Sequence, residues 1–156
     1  MTYRAIGTIR SPHVDASRTP IQPAYAQGVR GTVELLPQFE AGLDDLDGFS
    51  HIVLLYHLDR AGAPRLRVVP FLDDTERGVF ATRAPSRPNP IGMSVVRLIR
   101  RDGRTIHVEG IDALDGTPLL DIKPHIPRFG VVGPVRSGWQ EAVDGETARQ
   151  RGRRCA

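Results

Sequence analysis

The segment GVFATRAPSRPNPIGMS, Gly78 to Ser94, runs from a strand-like start into a stretch that holds Arg83, Arg87 and Asn89 among Pro85, Pro88 and Pro90. Each proline fixes its own φ and withholds a backbone donor, so the stretch cannot join the middle of a sheet. The same stiffness lowers the entropy cost of holding polar side chains ready for a ligand. Chemistry that needs two reactants aligned would suit such a loop. A stiff structural corner, with its arginines paired to the neighbouring acidic turn, accounts for the same residues without chemistry.

A second segment, GIDALDGTPLLDIKPHIP from Gly110 to Pro127, carries Asp112, Asp115, Asp121 and Lys123. Lys123 is the only lysine among 21 basic residues. An ammonium shifts its pKa more readily than a guanidinium and meets phosphate as a point charge. Asp115-Gly116 is also a common turn dipeptide, which explains Asp115 without any role in a site. A third candidate is TPIQP, Thr19 to Pro23, whose bland alternative is a poorly ordered loop. His51 and His57 are six positions apart, so a regular strand places both on one face with Val53 and Leu55 between them.

Several common sites are absent. No GxGxxG opens a helix, no GxxxxGK[ST] occurs, and the five histidines show no HExxH or other close metal spacing. Phosphate-loop nucleotide hydrolysis and zinc chemistry are therefore not expected, and no metal is. The single cysteine, Cys155, allows no intramolecular disulfide and no Cys-ligated metal, which points to a cytoplasmic protein. No apolar run is long enough to span a bilayer, and MTYRAIGTIRSP lacks the apolar region of a secretory signal, so a soluble chain without membrane contact is expected.

The elements that must position these residues are mostly strands. The 16 glycines and 13 prolines imply many turns and few long helices. Between Val29 and Leu35, apolar or small residues alternate with Arg30, Thr32 and Glu34, the period of a half-buried strand. Ser50 to Leu58 is continuously apolar enough to predict a central strand buried on both faces. Leu66 to Phe71 and Gly78 to Arg83 read as a hairpin about an acidic turn. Ser94 to Arg100 and Thr105 to Gly110 form a second hairpin, about Asp102-Gly103. A further strand covers Pro118 to Ile122. Phe39, Leu43 and Leu46 mark a short helix that Asp47-Gly48 ends.

About seven strands at roughly ten-residue spacing predict an all-β fold, an antiparallel β-barrel closed or partly closed. The length of 156 residues fits one domain. The net charge of +3 is concentrated at the end, where Arg149, Arg151, Arg153 and Arg154 outweigh Asp144 and Glu146. The body is close to neutral, so summed charge alone does not announce a nucleic-acid partner. Residues 1–143 are expected to form the barrel and residues 144–156 a disordered basic tail.

GFSHIVLLYH, PFLDD, GVFATRAPSRPNPIGMSVVRL, LDGTPLLDIKP and VRSGW together resemble, in order and spacing, the TsaA-like (TrmO-like) methyltransferase family over residues 3 to 140. The resemblance implies a non-Rossmann barrel that binds S-adenosyl-L-methionine at or near a homodimer interface. It also implies N6-methylation of threonylcarbamoyladenosine at position 37 of tRNA, in the anticodon loop. The cofactor residues it implies are Pro20, Ile21, Gln22, His57, Leu58, Arg83, Met93, Asp112, Ala113, Leu114 and Asp115.

Longer members have Pro-Arg-Gln where this chain has Pro20, Ile21 and Gln22, which leaves backbone contact possible there. His125 stands where many relatives have a tyrosine, removing an aromatic platform for a base. The extra C-terminal domain of longer relatives is not expected here.

On this footing Asp115 is expected to accept a proton or bond the cofactor, Asn89 to orient the base, and Arg83 and Arg87 to meet carboxylate or phosphate. The catalytic set is then Asp115, Asn89 and Arg87, and the substrate-binding set Arg87, Asn89 and Lys123. Two other functions share the cofactor: methylation of a small molecule, and S-adenosyl-L-methionine binding for regulation without catalysis.

Overall fold

The computed structural model describes residues 1–154. The lone cysteine, Cys155, and Ala156 lie outside the described residues, as do the expectations that rest on them.

The strands are β1 (Gly7–Arg10), β2 (Arg30–Leu35), β3 (His51–His57), β4 (Arg67–Val68), β5 (Arg77–Gly78), β6 (Ile91–Asp102), β7 (Thr105–Glu109) and β8 (Thr117–Pro124). Six of them close a barrel in the order β1, β2, β7, β6, β3, β8, and β8 returns to β1. Every neighbouring pair is antiparallel, and closure leaves the barrel strands no free edge. The all-β antiparallel barrel read from the sequence is the fold observed.

Alternation fills the interior. Ile9, Val33, Ile52, Leu54, Val96, Ile106, Val108 and Leu119 are all buried inside the barrel. Burying each such side chain contributes about 1.5–3 kcal/mol. Ile52, Leu54 and Tyr56 of β3 point inward, whereas His51, Val53 and Leu55 are half-buried and His57 is exposed. The two-sided burial expected for β3 therefore holds on one face only, because the outer face of a closed barrel meets solvent. The β6–β7 turn is tight, with Gly103 at φ +57 supplying the left-handed residue.

Other expectations change in detail. The helix over Phe39 to Leu46 is two 3-10 segments, Pro37–Leu43 and Leu46–Gly48, with Asp45 left-handed between them. Leu43 and Leu46 are still buried against the core. The hairpin at Leu66 to Arg83 is reduced to the two-residue strands β4 and β5, with Asp73 paired to Arg77 at 2.6 Å, and Val79–Ala81 form a 3-10 turn instead of the expected strand. Strand β1 was not anticipated, because four residues show too little period to read.

The expected disordered tail is corrected over most of its length. Gly145–Arg153 form helix α1, capped by Asp144, whose carboxylate accepts from the Glu146 and Thr147 amides at 3.1 and 2.9 Å. The helix has a polar exterior and docks through Gly152, so it carries no apolar stripe that periodicity could detect.

Candidate functional site

One mouth of the barrel opens into a cleft of about 840 Å³. Most of its walls are loops: the loop from Ala16 to Tyr25, the chain leaving β3 at Leu58 to Gly62, the segment Val69 to Leu72, and the proline-rich stretch from Thr82 to Arg87. Strand ends contribute Tyr56 of β3, Gly92 and Met93 of β6 and Thr117 of β8, and Asp112 to Leu114 and the C-terminal segment add to the lining.

The proline stretch runs outside the sheet, as its composition requires. Arg87 donates to the carbonyls of Thr82 and Ala84 at 2.9 and 3.1 Å, so its own guanidinium ties the loop into a fixed curve. Arg83 crosses the cleft to the Gln22 side-chain oxygen at 2.7 Å. The acidic turn is bound instead by Arg77 and Arg151, so pairing of Arg83 and Arg87 with that turn does not explain them.

Asp112 lies against the cleft and is 9% exposed. The Ser94 hydroxyl donates to its Oδ1 at 2.5 Å, and Tyr56 Oη meets the Ser94 Oγ at 2.8 Å. Burial pushes the Asp112 carboxyl up to about 6, against the pull of the Ser94 hydrogen bond, its own backbone amide and the Arg83 charge. Burial and the nearby Asp112 likewise push the Tyr56 hydroxyl well above the usual phenol range.

The following turn is braced from outside. Ser11 Oγ donates to the Ala113 carbonyl at 2.6 Å, and His13 Nε2 meets the Ile111 carbonyl at 3.0 Å. Asp115 Oδ1 accepts from the Ser11 amide at 3.2 Å, its Oδ2 lies 3.9 Å from Arg10, and its carbonyl accepts from Arg60 at 2.8 Å.

Of the residues singled out from the sequence, the cleft gathers Pro20, Ile21, Gln22, Leu58, Arg83, Arg87, Met93, Asp112, Ala113 and Leu114. Four lie off its lining. His57 is exposed at the end of β3, opposite Ile91. Asn89 is exposed, and its carbonyl accepts from the Ile91 amide at 2.8 Å. Lys123 pairs with Asp121 at 2.9 Å on the outer wall, and Asp115 faces Ser11 and Arg10.

Tyr56 and Ser94 are absent from the sequence-derived candidates, although each is a polar residue at an inward position of an otherwise apolar strand. So are Tyr25, Arg60 and Arg154, which line the cleft and which no local pattern marks. Phe71 and Trp139, inside the PFLDD and VRSGW motifs, line it as well. Among the described residues no cluster of His, Cys, Asp or Glu has the makings of a metal site, and no helix is long and apolar enough to cross a membrane.

Residues 8–131 match the family of the tRNA-methyltransferase O N-terminal domain. A Pyrococcus abyssi protein named "probable S-adenosyl-L-methionine-binding protein" is 52% identical over 139 residues, covering 89% of this chain and 76% of that one. The tRNA (adenine(37)-N6)-methyltransferase of Escherichia coli is 35% identical over 135 residues, covering 80% of this chain and 57% of its own length. The crystal structure of TrmO from Pseudomonas aeruginosa superposes with a TM-score of 0.74 at 41% identity, covering 89% of this chain and 62% of that chain. The barrel with its proline-stiffened cleft, and the match over residues 8–131, place this chain in the tRNA-methyltransferase O N-terminal domain family.

Proposed function

We propose that the protein is an S-adenosyl-L-methionine-dependent methyltransferase acting on N6 of adenosine 37 in the tRNA anticodon loop, with threonylcarbamoyladenosine as the acceptor. The observation that carries this reading is Asp112, a buried carboxylate at the cleft whose hydrogen-bond partner is Ser94 and which no ion pair reaches among the described residues. A buried acid without a resident cation is complementary to a cationic ligand. Arg83 and Arg87 suit a carboxylate or phosphate, and Ile21, Leu58, Met93 and Leu114 offer apolar surface to a ring. A sulfonium, an amino-acid end and an adenosine fit that set. The names of the Pyrococcus and Escherichia coli relatives support it.

When bound, the cofactor supplies a methyl group on a sulfonium, open to in-line attack by nitrogen. The chain's own task is alignment, which the stiff Thr82 to Arg87 curve and the braced Asp112 to Leu114 turn serve. The acceptor nitrogen lies between an adenine ring and a carbonyl, and it is a weak nucleophile until a base takes a share of its proton. Of the two acids that line the cleft, Asp59 and Asp112, Asp112 is the buried one. Asp115 acts on the same turn by holding it to Ser11 and Arg10, while Arg87, Asn89 and Lys123 meet the tRNA. His57, at the cleft's outer end, belongs to the cofactor set through its backbone neighbour Leu58.

A homodimer with the cleft near its interface belongs to this reading. Exposed Val69 and Phe80, 60% and 76% accessible, supply apolar surface beside the cleft. The cytoplasm is the compartment where this substrate is found.

The test is calorimetry with S-adenosyl-L-methionine, followed by mass spectrometry of nucleosides from tRNA incubated with protein and cofactor. A methylated threonylcarbamoyladenosine is the expected product. Absence of binding ends the reading. Turnover of free nucleosides without tRNA marks a small-molecule enzyme, and binding without turnover marks a regulatory protein.

A further inference from the structure

Helix α1 is nine residues long and mostly exposed, a length at which an isolated helix is marginal in water. What holds it is its last turn, which grips two separate segments, the N-terminal loop and the stretch between β4 and β5. The Gly152 carbonyl accepts from the Ile21 amide at 3.0 Å. Gly152 itself lies flat on the Tyr25 ring, where an added Cβ would stand 2.5 Å from the ring carbons. Arg151 forks onto both oxygens of Asp74 at 3.0 and 3.2 Å. Beyond the helix, Arg154 lies 4.0 Å from the Phe71 ring centroid and donates to the Ala16 carbonyl.

These partners sit on two walls of the cleft. Ala16, Ile21 and Tyr25 belong to the N-terminal loop, and Phe71 and Asp74 to the segment between β4 and β5. Neither wall is laced into the barrel ladder. The chain is brought to this point by Trp139, whose Nε1 donates to the Ala81 carbonyl at 2.8 Å and whose ring lies under Arg77.

We propose that the last turn of α1 is a strap that joins the two loop walls of the cleft and positions Pro20, Ile21 and Gln22 for cofactor binding. The proposal rests on the reading of this cleft as the cofactor site. Arg151, Gly152 and Asp74 are positioning residues in this scheme, and Arg151 and Asp74 do not line the cleft. Arg154 closes the rim and contributes a cation to it.

The full chain is titrated calorimetrically with S-adenosylhomocysteine, as wild type, as Arg151→Asp, as Asp74→Arg and as the double charge swap. Each single change removes an exposed bidentate pair and adds a like charge, so affinity is expected to fall about three- to ten-fold. The swap is expected to return it to within about two-fold of wild type, because only the pair's direction is reversed. Gly152→Val, which drives Cβ into Tyr25, is expected to weaken binding further.

Amide exchange at Ile21 gives a readout independent of any ligand: slow in wild type, fast in Arg151→Asp, slow again in the swap. Single variants that bind as wild type does, with unchanged Ile21 exchange, overturn the strap. A wild-type protein that binds nothing while Ile21 exchange follows the strap pattern overturns the cofactor reading instead.

Discussion

The Ser94 hydroxyl points at Oδ1 of Asp112 from 2.5 Å, and that hydroxyl is in turn met by Tyr56 Oη at 2.8 Å. Three polar groups thus cross the wall of an otherwise apolar barrel, from the inside of β3 through β6 to the cleft. With Asp112 ionised, Ser94 donates to it and Tyr56 donates to Ser94, so the charge is stabilised by a directed chain. Removing the middle member by Ser94→Ala leaves a buried carboxylate without its partner, at a cost of about 1–3 kcal/mol. Chemical denaturation checks that figure. The Asp112 titration should also move upward, which carbon NMR of the carboxyl reads directly.

Asp112 itself should make stability depend on pH. Its folded value of about 6 lies above the ordinary carboxylate value of 3.8, so the folded state holds the proton more tightly. Stability is therefore full below about pH 4 and declines as pH rises toward 6, by an amount on the order of 3 kcal/mol. Asp112→Asn removes that pH dependence. The variant should be more stable than wild type at pH 7.5 and lose the advantage at pH 4. Urea unfolding at both values decides it, and an equal difference at the two would remove Asp112 as the source.

Ligand affinity should show the opposite slope. A cationic ligand needs the carboxylate, so binding should be full above about pH 7 and fall as pH drops through the Asp112 value of about 6. Calorimetry at pH 5 and pH 8 is expected to differ about ten-fold in wild type, and the Asp112→Asn protein should show a weaker, flatter profile. The ligand's own amine titrates on a different range, and the variant separates the two.

Most of the barrel was legible because β2, β3, β6, β7 and β8 alternate or run apolar and because Asp102-Gly103 marks a turn that allows little else. The four residues of β1 are too few to show a period. The cleft was partly legible for a different reason. Arg83, Arg87 and Asp112 sit in proline- and glycine-punctuated stretches that look unlike core, whereas Ala113 and Leu114 are marked only by the family resemblance. Ser94 and Tyr56 were hidden because a single hydroxyl in an apolar strand has no spacing to betray it. Helix α1 was hidden because its docking point is a glycine, whose contribution is the absence of a side chain. Asp115 lies off the lining, with its carboxylate turned to Ser11 and Arg10, a placement that its turn dipeptide with Gly116 accounts for.

Gly92 should be among the least replaceable positions in the wall. A Cβ there would stand 2.1 Å from Tyr56 Cε2, well inside contact distance. The ring would have to move, and with it the hydroxyl that meets Ser94. Gly92→Ala is expected to destabilise by about 1–3 kcal/mol, the range for overpacking a tight interior. Adding Tyr56→Leu removes the clashing ring edge and should recover part of the loss in a melting experiment, whereas Tyr56→Phe keeps the ring and should not.

Arginine at the cleft should be visible in the salt dependence of tRNA binding. Each phosphate neutralised on a single strand releases counterions and contributes a slope of about −0.7 in log K against log salt. Arg87 is tied to the Thr82 and Ala84 carbonyls through Nη1 and is half-buried, so its guanidinium is held in place before any tRNA arrives. Pre-ordering lowers the entropy cost of a phosphate contact relative to a free surface arginine. Arg87→Ala is therefore expected to weaken tRNA binding and flatten the slope by about 0.7, and to weaken cofactor binding as well because the Thr82 to Arg87 curve loses its tie. An unaltered slope would assign Arg87 to the loop's internal bracing alone.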